Sequence, residues 1–107
     1  MNSLSSNAPQ SEQPSLLLVD DDEAFLSVLA KAMRKRGFAV STANSAESAY
    51  AFAQLDAPEF AVVDLKMSGN SGSVLVRQLA SLNAGTRIVV LTGFASVATA
   101  VEAIKLG

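Results

Sequence analysis

The feature of this sequence that most constrains its fold is the alternation of short apolar runs with stretches of helical period. The apolar runs lie at 16–19, 38–43, 60–64 and 87–92. The first run, at 16–19, is apolar at every position, as is typical of a strand covered on both faces. Strands that alternate with helices imply a parallel sheet with right-handed crossovers and helices on both faces. We therefore predict an α/β fold, a doubly wound parallel sheet with the order β-α-β-α-β-α-β-α.

The stretches between the runs carry helix signals. The first predicted helix has Asp22 as N-cap and Gly37 after its end. Either Asn44 or Ser45 caps the second, and Glu47 suits a capping box with Asn44. The third passes through 74–82, and the fourth covers 96–106. Residues spaced three or four apart define the apolar face of the first helix: Phe25, Val28, Leu29, Ala32 and Met33.

Composition excludes several classes of function. The chain has 107 residues, which suggests one domain, and its net charge is -2, so we expect no nucleic acid to bind this segment. The basic run 31–36 is explained by the favourable position of cations at a helix C-terminus. There is no Cys and no His, which excludes disulfides, thiolate or imidazole metal ligands, and catalysis by either side chain.

The N-terminal segment is polar and has no apolar run. It lacks the pattern of a signal peptide, and no stretch of the chain is long and apolar enough to span a bilayer. We therefore predict a flexible polar tail at 1–14, a folded domain at 15–107, a cytoplasmic location and no membrane partner.

Acidic residues follow two of the predicted strands. Asp20 and Asp21 come directly after the first strand, Asp64 ends the third, and Thr92 ends the fourth. In open parallel sheets, ligands lie beyond the carboxyl ends of the strands, where the strand order reverses. If the first and third strands are neighbours, three carboxylates meet there and need a shared proton or cation. A lone Asp after a strand is usually only a helix N-cap, as we expect for Asp22.

A hard divalent cation suits such a cluster. Mg²⁺ binds oxygen ligands and substrate phosphates, and a carboxylate can attack phosphorus to form an aspartyl phosphate. The Thr92 hydroxyl and nearby backbone amides can then donate hydrogen bonds to the phosphoryl oxygens. The competing interpretations are a nucleotide-binding flavodoxin-like protein, disfavoured by the acidic loop at 20–23, and a hydrolase, which would need a second acid in the loop after Asp64.

Three ordered blocks resemble the receiver domain of two-component response regulators: LLLVDDD, VVDLKMSGNSG and VVLTGFASVATAVEAIKLG. The resemblance implies a flavodoxin-like (CheY-like) sheet of order 2-1-3-4-5. It implies that Asp64 is the phosphoacceptor and Thr92 the switch hydroxyl. It also implies a Mg²⁺ site formed by Asp64, by Asp21 as a direct ligand and by the backbone carbonyl of Lys66. Asp20 would act on the ion through bound water.

The resemblance also implies partners. Receivers take phosphate from a sensor histidine kinase, and we expect no enzyme activity of the chain itself. Within the family, the block from Leu91 to Gly107 looks closest to redox-responsive global regulators of the RegA, PrrA and ActR type. That similarity implies a separate C-terminal DNA-binding region in the full-length protein and a role in transcription regulation.

Two departures from the family pattern affect these expectations. Ser68 stands where the family usually has Pro, which restores an N–H and leaves φ unrestricted. The sequence also ends at Gly107, so we expect a truncated receiver without the fifth strand, its Lys-Pro pattern and the fifth helix. From this we predict self-association or helix exchange through an open sheet edge, and weak phosphorylation of the fragment. The alternative function is a phosphorylation-incompetent interaction module.

Overall fold

Strands and helices alternate along the chain, as predicted. The computed structural model describes residues 13–91. The elements, in chain order, are β1 (Ser15–Val19), α1 (Glu23–Lys35), β2 (Ala39–Ala43), α2 (Ala46–Leu55), β3 (Phe60–Asp64), α3 (Ser71–Ser81) and β4 (Arg87–Leu91). The predicted fourth helix and the tail before residue 13 lie outside the described residues. Within those residues, no helix is long and apolar enough to cross a membrane.

The four strands form one parallel sheet in the order β2-β1-β3-β4. This is the order that the resemblance implied for the first four strands. Val19, the last residue of β1, pairs with Val63 of β3, so the carboxyl ends of these two central strands lie side by side. From β1 the chain first adds β2 on one side and then β3 and β4 on the other, so the strand order reverses between β1 and β3. In such folds, ligands bind in the crevice at this point.

Helices cover both faces of the sheet, as a doubly wound fold requires. On one face, Leu16, Leu18 and Val62 pack with residues of α1 in one buried cluster. On the other face, Leu17 and Val63 pack with residues of α2 and α3 in a second cluster. Alternate residues of a strand point to opposite faces, so each central strand contributes to both clusters. This explains why the central strands β1 and β3 have continuous apolar runs at 16–19 and 60–63.

The buried face of α1 differs from the predicted one. Its buried residues are Leu26, Leu29, Ala30 and Met33. Val28 was predicted to be part of the core, but 59% of it is exposed. Leu29 and Met33 belong to both the predicted and the observed apolar stripe. Leu26 and Ala30 lie three or four residues from them, as Phe25 and Ala32 do, so periodicity alone could not choose between the two stripes.

The ends of α1 agree with the sequence signals. The Asp22 side chain caps the helix by accepting a hydrogen bond from Phe25 N at 3.1 Å. Gly37 has φ +93°, a conformation that favours glycine and ends the helix. Arg34 donates to Val40 O at 3.3 Å, so part of the basic run binds carbonyl groups within the domain.

The cap of α2 resolves the alternative between Asn44 and Ser45. The Ser45 side chain accepts a hydrogen bond from Ser48 N at 3.1 Å, and the helix begins at Ala46. The predicted capping box of Asn44 with Glu47 is wrong. The Asn44 amide instead donates to Glu23 at 2.8 Å and so connects the start of α1 to the segment after β2.

Replacing the cap of α2 is expected to destabilise the domain. The Ser45→Ala variant leaves the Ser48 N–H without its acceptor, and we expect the free energy of unfolding to fall by about 1 kcal/mol. Ser45→Asp is the matched control, because aspartate accepts the same hydrogen bond and should retain most of the stability. Urea unfolding followed by circular dichroism measures both variants. Equal stability of Ser45→Ala and the parent chain would contradict this account of the cap.

Candidate functional site

Three carboxylates meet at the carboxyl ends of β1 and β3. Asp20 and Asp21 follow β1, and Asp64 is the last residue of β3. One carboxylate oxygen from each residue lies within 4.8 Å of the other two. The two strands are neighbours and end at the same level, so residues far apart in sequence come together. The convergence predicted from the sequence is therefore present in the structure.

The three side chains differ in their access to solvent. Asp20 is only 6% exposed, Asp64 is half-buried and Asp21 is exposed. Consecutive residues leave a strand in different directions, which places one of the adjacent aspartates inside and the other at the rim. The group opens into a cleft of ≈ 290 Å³ whose lining residues are Asp20, Asp21, Asp22, Phe25, Asp64, Lys66 and Leu91.

Backbone amides hold two of the carboxylates in place. The N–H of Asp22 donates to Asp20 Oδ1 at 2.9 Å. The N–H of Lys66 donates to Asp64 Oδ1, also at 2.9 Å. In each case the amide lies two residues after the aspartate that it binds. The loop after each strand therefore fixes the carboxylate at that strand's carboxyl end.

The first residues beyond β3 also continue its pairing with β4. Leu65 N donates to Leu91 O at 2.9 Å. The backbone that carries the Asp64 carboxylate is therefore fixed by the sheet as well as by its own loop. A carboxylate on such a rigid support is suited to a precisely positioned reaction.

Burial raises the pKa of Asp20 from its ordinary value of 3.8 to about 6. The charge of Asp64, the hydrogen bond between the two side chains and the charge of Asp21 add to the rise, while the hydrogen bond from Asp22 N opposes it. Crowding of like charges in a partly closed cleft thus costs free energy when no cation is bound. Above about pH 6 Asp20 is charged, and a bound cation would stabilise this charged form.

Removing the Asp20 charge is expected to stabilise the metal-free protein. Between pH 3.8 and about 6, the folded state holds a proton that the unfolded state releases, so the free energy of unfolding falls as the pH rises through this window. The Asp20→Asn variant keeps an oxygen that accepts the hydrogen bond from Asp22 N. It cannot ionise, so its free energy of unfolding should not fall in this way as the pH rises. In EDTA at neutral pH we expect a gain of about 1–2 kcal/mol, below the full linkage value because burying the asparagine amide has a desolvation cost of its own.

Urea unfolding across this pH range tests the prediction. The gain in Asp20→Asn should shrink as the pH falls through about 6 and vanish below 3.8. Asp56→Asn is the control, because Asp56 is exposed at the end of α2 and lies outside the cleft. A lower or unchanged stability of Asp20→Asn at neutral pH in EDTA would contradict the prediction.

The other predicted site residues have different outcomes. Lys66 lines the cleft, and its backbone N–H binds Asp64, whereas the role predicted for its carbonyl as a metal ligand stays a prediction. Thr92 lies outside the described residues. Sequence reasoning missed the structural role of the Asp22 N–H, although the run of aspartates is itself the signal, since an aspartate often accepts a hydrogen bond from the amide two residues later.

The donor set fits a hard cation. The ligands brought together are carboxylate oxygens, and the sequence contains no His or Cys. Mg²⁺ and Ca²⁺ prefer such oxygen ligands, and a small set of carboxylates in an open cleft leaves room for water or phosphate oxygens. Burial, together with the neighbouring carboxylates of Asp64 and Asp21, raises the pKa of Asp20, and a bound cation would stabilise its charged form.

Comparison with known proteins gives a consistent result. A family described as the response regulator receiver domain matches residues 16–107. The photosynthetic apparatus regulatory protein RegA of Cereibacter sphaeroides is 53% identical over 93 residues, which cover 87% of this chain and 50% of that protein. The acid tolerance regulatory protein ActR of Rhizobium meliloti is 48% identical over 93 residues, covering 87% of this chain and 48% of that protein.

A solved structure is similar as well. It is a response regulator protein from Burkholderia pseudomallei with a phosphorylated aspartic acid, a calcium ion and citrate. That chain is 41% identical with a TM-score of 0.71, and the match covers 89% of this chain and 56% of that one. The present chain spans about half the length of the curated relatives it matches.

Proposed function

Because the chain belongs to the response regulator receiver domain family, we propose that it accepts a phosphoryl group on Asp64 in a two-component signalling pathway. The observation that carries the proposal is the group of three carboxylates at the ends of β1 and β3, with oxygens within 4.8 Å of one another. Such a group stores electrostatic repulsion that a bound divalent cation would relieve, and the same cation would offset the negative charge that a phosphoryl group brings.

Asp64 is the residue best placed to be the acceptor. It is half-buried rather than fully exposed, and its Oδ1 is held by Lys66 N. The other carboxylate oxygen is then the one available for attack on phosphorus. Asp20 is almost fully buried, whereas Asp21 lies at the rim, so neither combines access with fixed orientation in the same way.

Phosphoryl transfer depends mainly on the positioning of the reacting groups and on stabilisation of their charge. An oxygen of Asp64 forms a bond to phosphorus while the bond from phosphorus to the donor breaks, and the donor leaves with that electron pair. The sequence contains no His, so a phosphohistidine donor would lie outside this segment. The sequence resemblance assigns this role to a sensor histidine kinase, and the chain itself is an acceptor rather than an enzyme.

The aspartates would hold Mg²⁺ beside the acceptor. Asp21 and Asp64 would provide direct ligands, while Asp20 would act through bound water, as the family resemblance implies. When bound, the ion supplies positive charge that offsets the charge of the phosphoryl oxygens. The calcium ion in the related structure from Burkholderia pseudomallei supports a divalent cation of this kind.

The relatives suggest how phosphorylation would be used. RegA and ActR are regulatory proteins by name, and each is about twice as long as the matched segment. We propose that the natural protein acts in the cytoplasm and couples the receiver to a DNA-binding region that regulates transcription. The net charge of -2 agrees with a receiver segment that does not itself bind DNA.

The experiment that tests the proposal is phosphorylation by a small donor. Purified protein is incubated with acetyl phosphate in Mg²⁺ or in EDTA, and the mass of the intact chain is measured. We expect one added phosphoryl group in Mg²⁺ and none in EDTA. Absence of phosphorylation in Mg²⁺ over a wide range of donor concentration would contradict the proposal.

A further inference from the structure

We infer that Gly72 is a positioning residue for Asp64, because the missing side chain lets α3 lie directly against the Asp64 backbone. Gly72 is the second residue of α3 and is buried. The expected effect on phosphorylation rests on the proposed function of Asp64, whereas the contact between α3 and the end of β3 does not depend on that function. None of the sequence signals for turns or caps required glycine at this position.

The contact leaves no room for a side chain. A Cβ at Gly72 would lie 2.6 Å from the carbonyl oxygen of Asp64, 3.0 Å from the Cα of Leu65 and 3.4 Å from the carbonyl carbon of Asp64. All three are backbone atoms, so a change of rotamer could not relieve the overlap. Either α3 or the end of β3 would have to move.

Neither element is free to move alone. Leu75 and Leu79 of α3 are buried in the same cluster as Val63 of β3. β3 itself lies between β1 and β4 in the sheet. Because a close-packed interior transmits displacement rather than absorbing it, a side chain at Gly72 would change the position of the Asp64–Leu65 peptide.

The same peptide leads to the group that orients the carboxylate. Lys66 N, one residue beyond Leu65, donates to Asp64 Oδ1. Movement of the Asp64–Leu65 peptide therefore shifts both the carboxylate and its hydrogen-bond donor relative to Asp20 and Asp21. A misplacement of about 1 Å at a reacting group can reduce a rate about 100-fold.

At Gly72, helix preference and the steric contact with the Asp64 backbone predict opposite effects of an alanine substitution on stability. It lies within a helix, unlike Gly69 with its φ of +59°. Alanine is the better helix former, so Gly72→Ala would stabilise the protein if only local preference mattered. We expect destabilisation instead, together with weaker Mg²⁺ binding and slower phosphorylation.

The experiment compares Gly72→Ala with two controls on the same helix. Ser73→Ala also raises helix preference, by less than Gly72→Ala, at the exposed neighbouring position. Val76→Ala removes packing from the second cluster one turn further from the site. Thermal unfolding, the Mg²⁺ dissociation constant and the rate of phosphorylation by acetyl phosphate at saturating Mg²⁺ are measured at a temperature where every variant is folded. Trimethylamine N-oxide, which favours the folded state, is added to all samples if Gly72→Ala needs it.

For Gly72→Ala we expect a lower melting temperature, Mg²⁺ binding weakened at least about 5-fold and phosphorylation slowed at least about 10-fold. Both controls should keep the parent values for binding and rate. A higher melting temperature, or binding and rate no different from Val76→Ala, would overturn the inference. If the parent chain accepts no phosphate, the proposed function fails, while Mg²⁺ binding and melting temperature still decide whether Gly72 positions Asp64.

Discussion

The Asp64→Asn variant is expected to incorporate no measurable phosphate from acetyl phosphate in Mg²⁺. The amide that replaces the carboxylate is neutral and a poor nucleophile, so the bond to phosphorus cannot form at a useful rate. The hydrogen bond from Lys66 N can persist, because the Asn side chain still offers an oxygen where Asp64 Oδ1 accepts at 2.9 Å. Loss of phosphorylation would therefore report chemistry rather than unfolding. We expect a fall in rate of at least about 100-fold, measured as intact mass with time.

Asp56→Asn is the control for this substitution. Asp56 is exposed at the end of α2, outside the acidic cleft, so the same loss of charge should leave phosphorylation unchanged. Thermal unfolding of both variants establishes that they are folded. Phosphorylation of Asp64→Asn at the parent rate would show that another side chain is the acceptor, and would remove the central assignment.

The Asp21→Ala variant is expected to bind Mg²⁺ at least about 10-fold more weakly than the parent chain. Asp21 is the exposed member of the group of three carboxylates, so its removal deletes a ligand at the rim without opening a buried cavity. Phosphorylation should fall in parallel at subsaturating Mg²⁺, since less of the protein then carries the ion. Isothermal titration calorimetry measures the affinity, and the acetyl phosphate reaction measures the rate.

Asp22→Asn is the matched control for Asp21→Ala. It removes the same charge one residue later, while asparagine still caps α1 by accepting the bond from Phe25 N. A general effect of negative charge near the cleft would weaken Mg²⁺ binding to a similar extent in both variants. A direct ligand role for Asp21 predicts a much larger effect of Asp21→Ala, and equal effects would contradict that role.

The fold could be predicted from the sequence because its signals reinforce one another. The continuous apolar run at 16–19 indicated a strand covered on both faces, and the helical stretches between the apolar runs required parallel crossovers. The order β2-β1-β3-β4 came from the family resemblance rather than from periodicity. With that order, the convergence of Asp20, Asp21 and Asp64 followed from the position of each at a strand end.

Other features depended on distances that no local pattern encodes. Val28 fits the apolar period of α1, yet it is exposed, because the contact with the sheet selects the neighbouring stripe. The cap of α2 is Ser45, since Asn44 pairs with Glu23 from another element. The need for glycine at Gly72 arises from backbone atoms of Asp64 and Leu65, which the sequence places several residues away.

The central claim is that aspartates from two separate segments share one divalent cation at the carboxyl end of the sheet. Crystals grown or soaked with Mn²⁺ test it directly, because the anomalous signal locates the ion. We predict one strong peak within about 2.5 Å of carboxylate oxygens of both Asp21 and Asp64. Full occupancy at a site that contacts neither residue, or no peak in the cleft at saturating Mn²⁺, would contradict the claim.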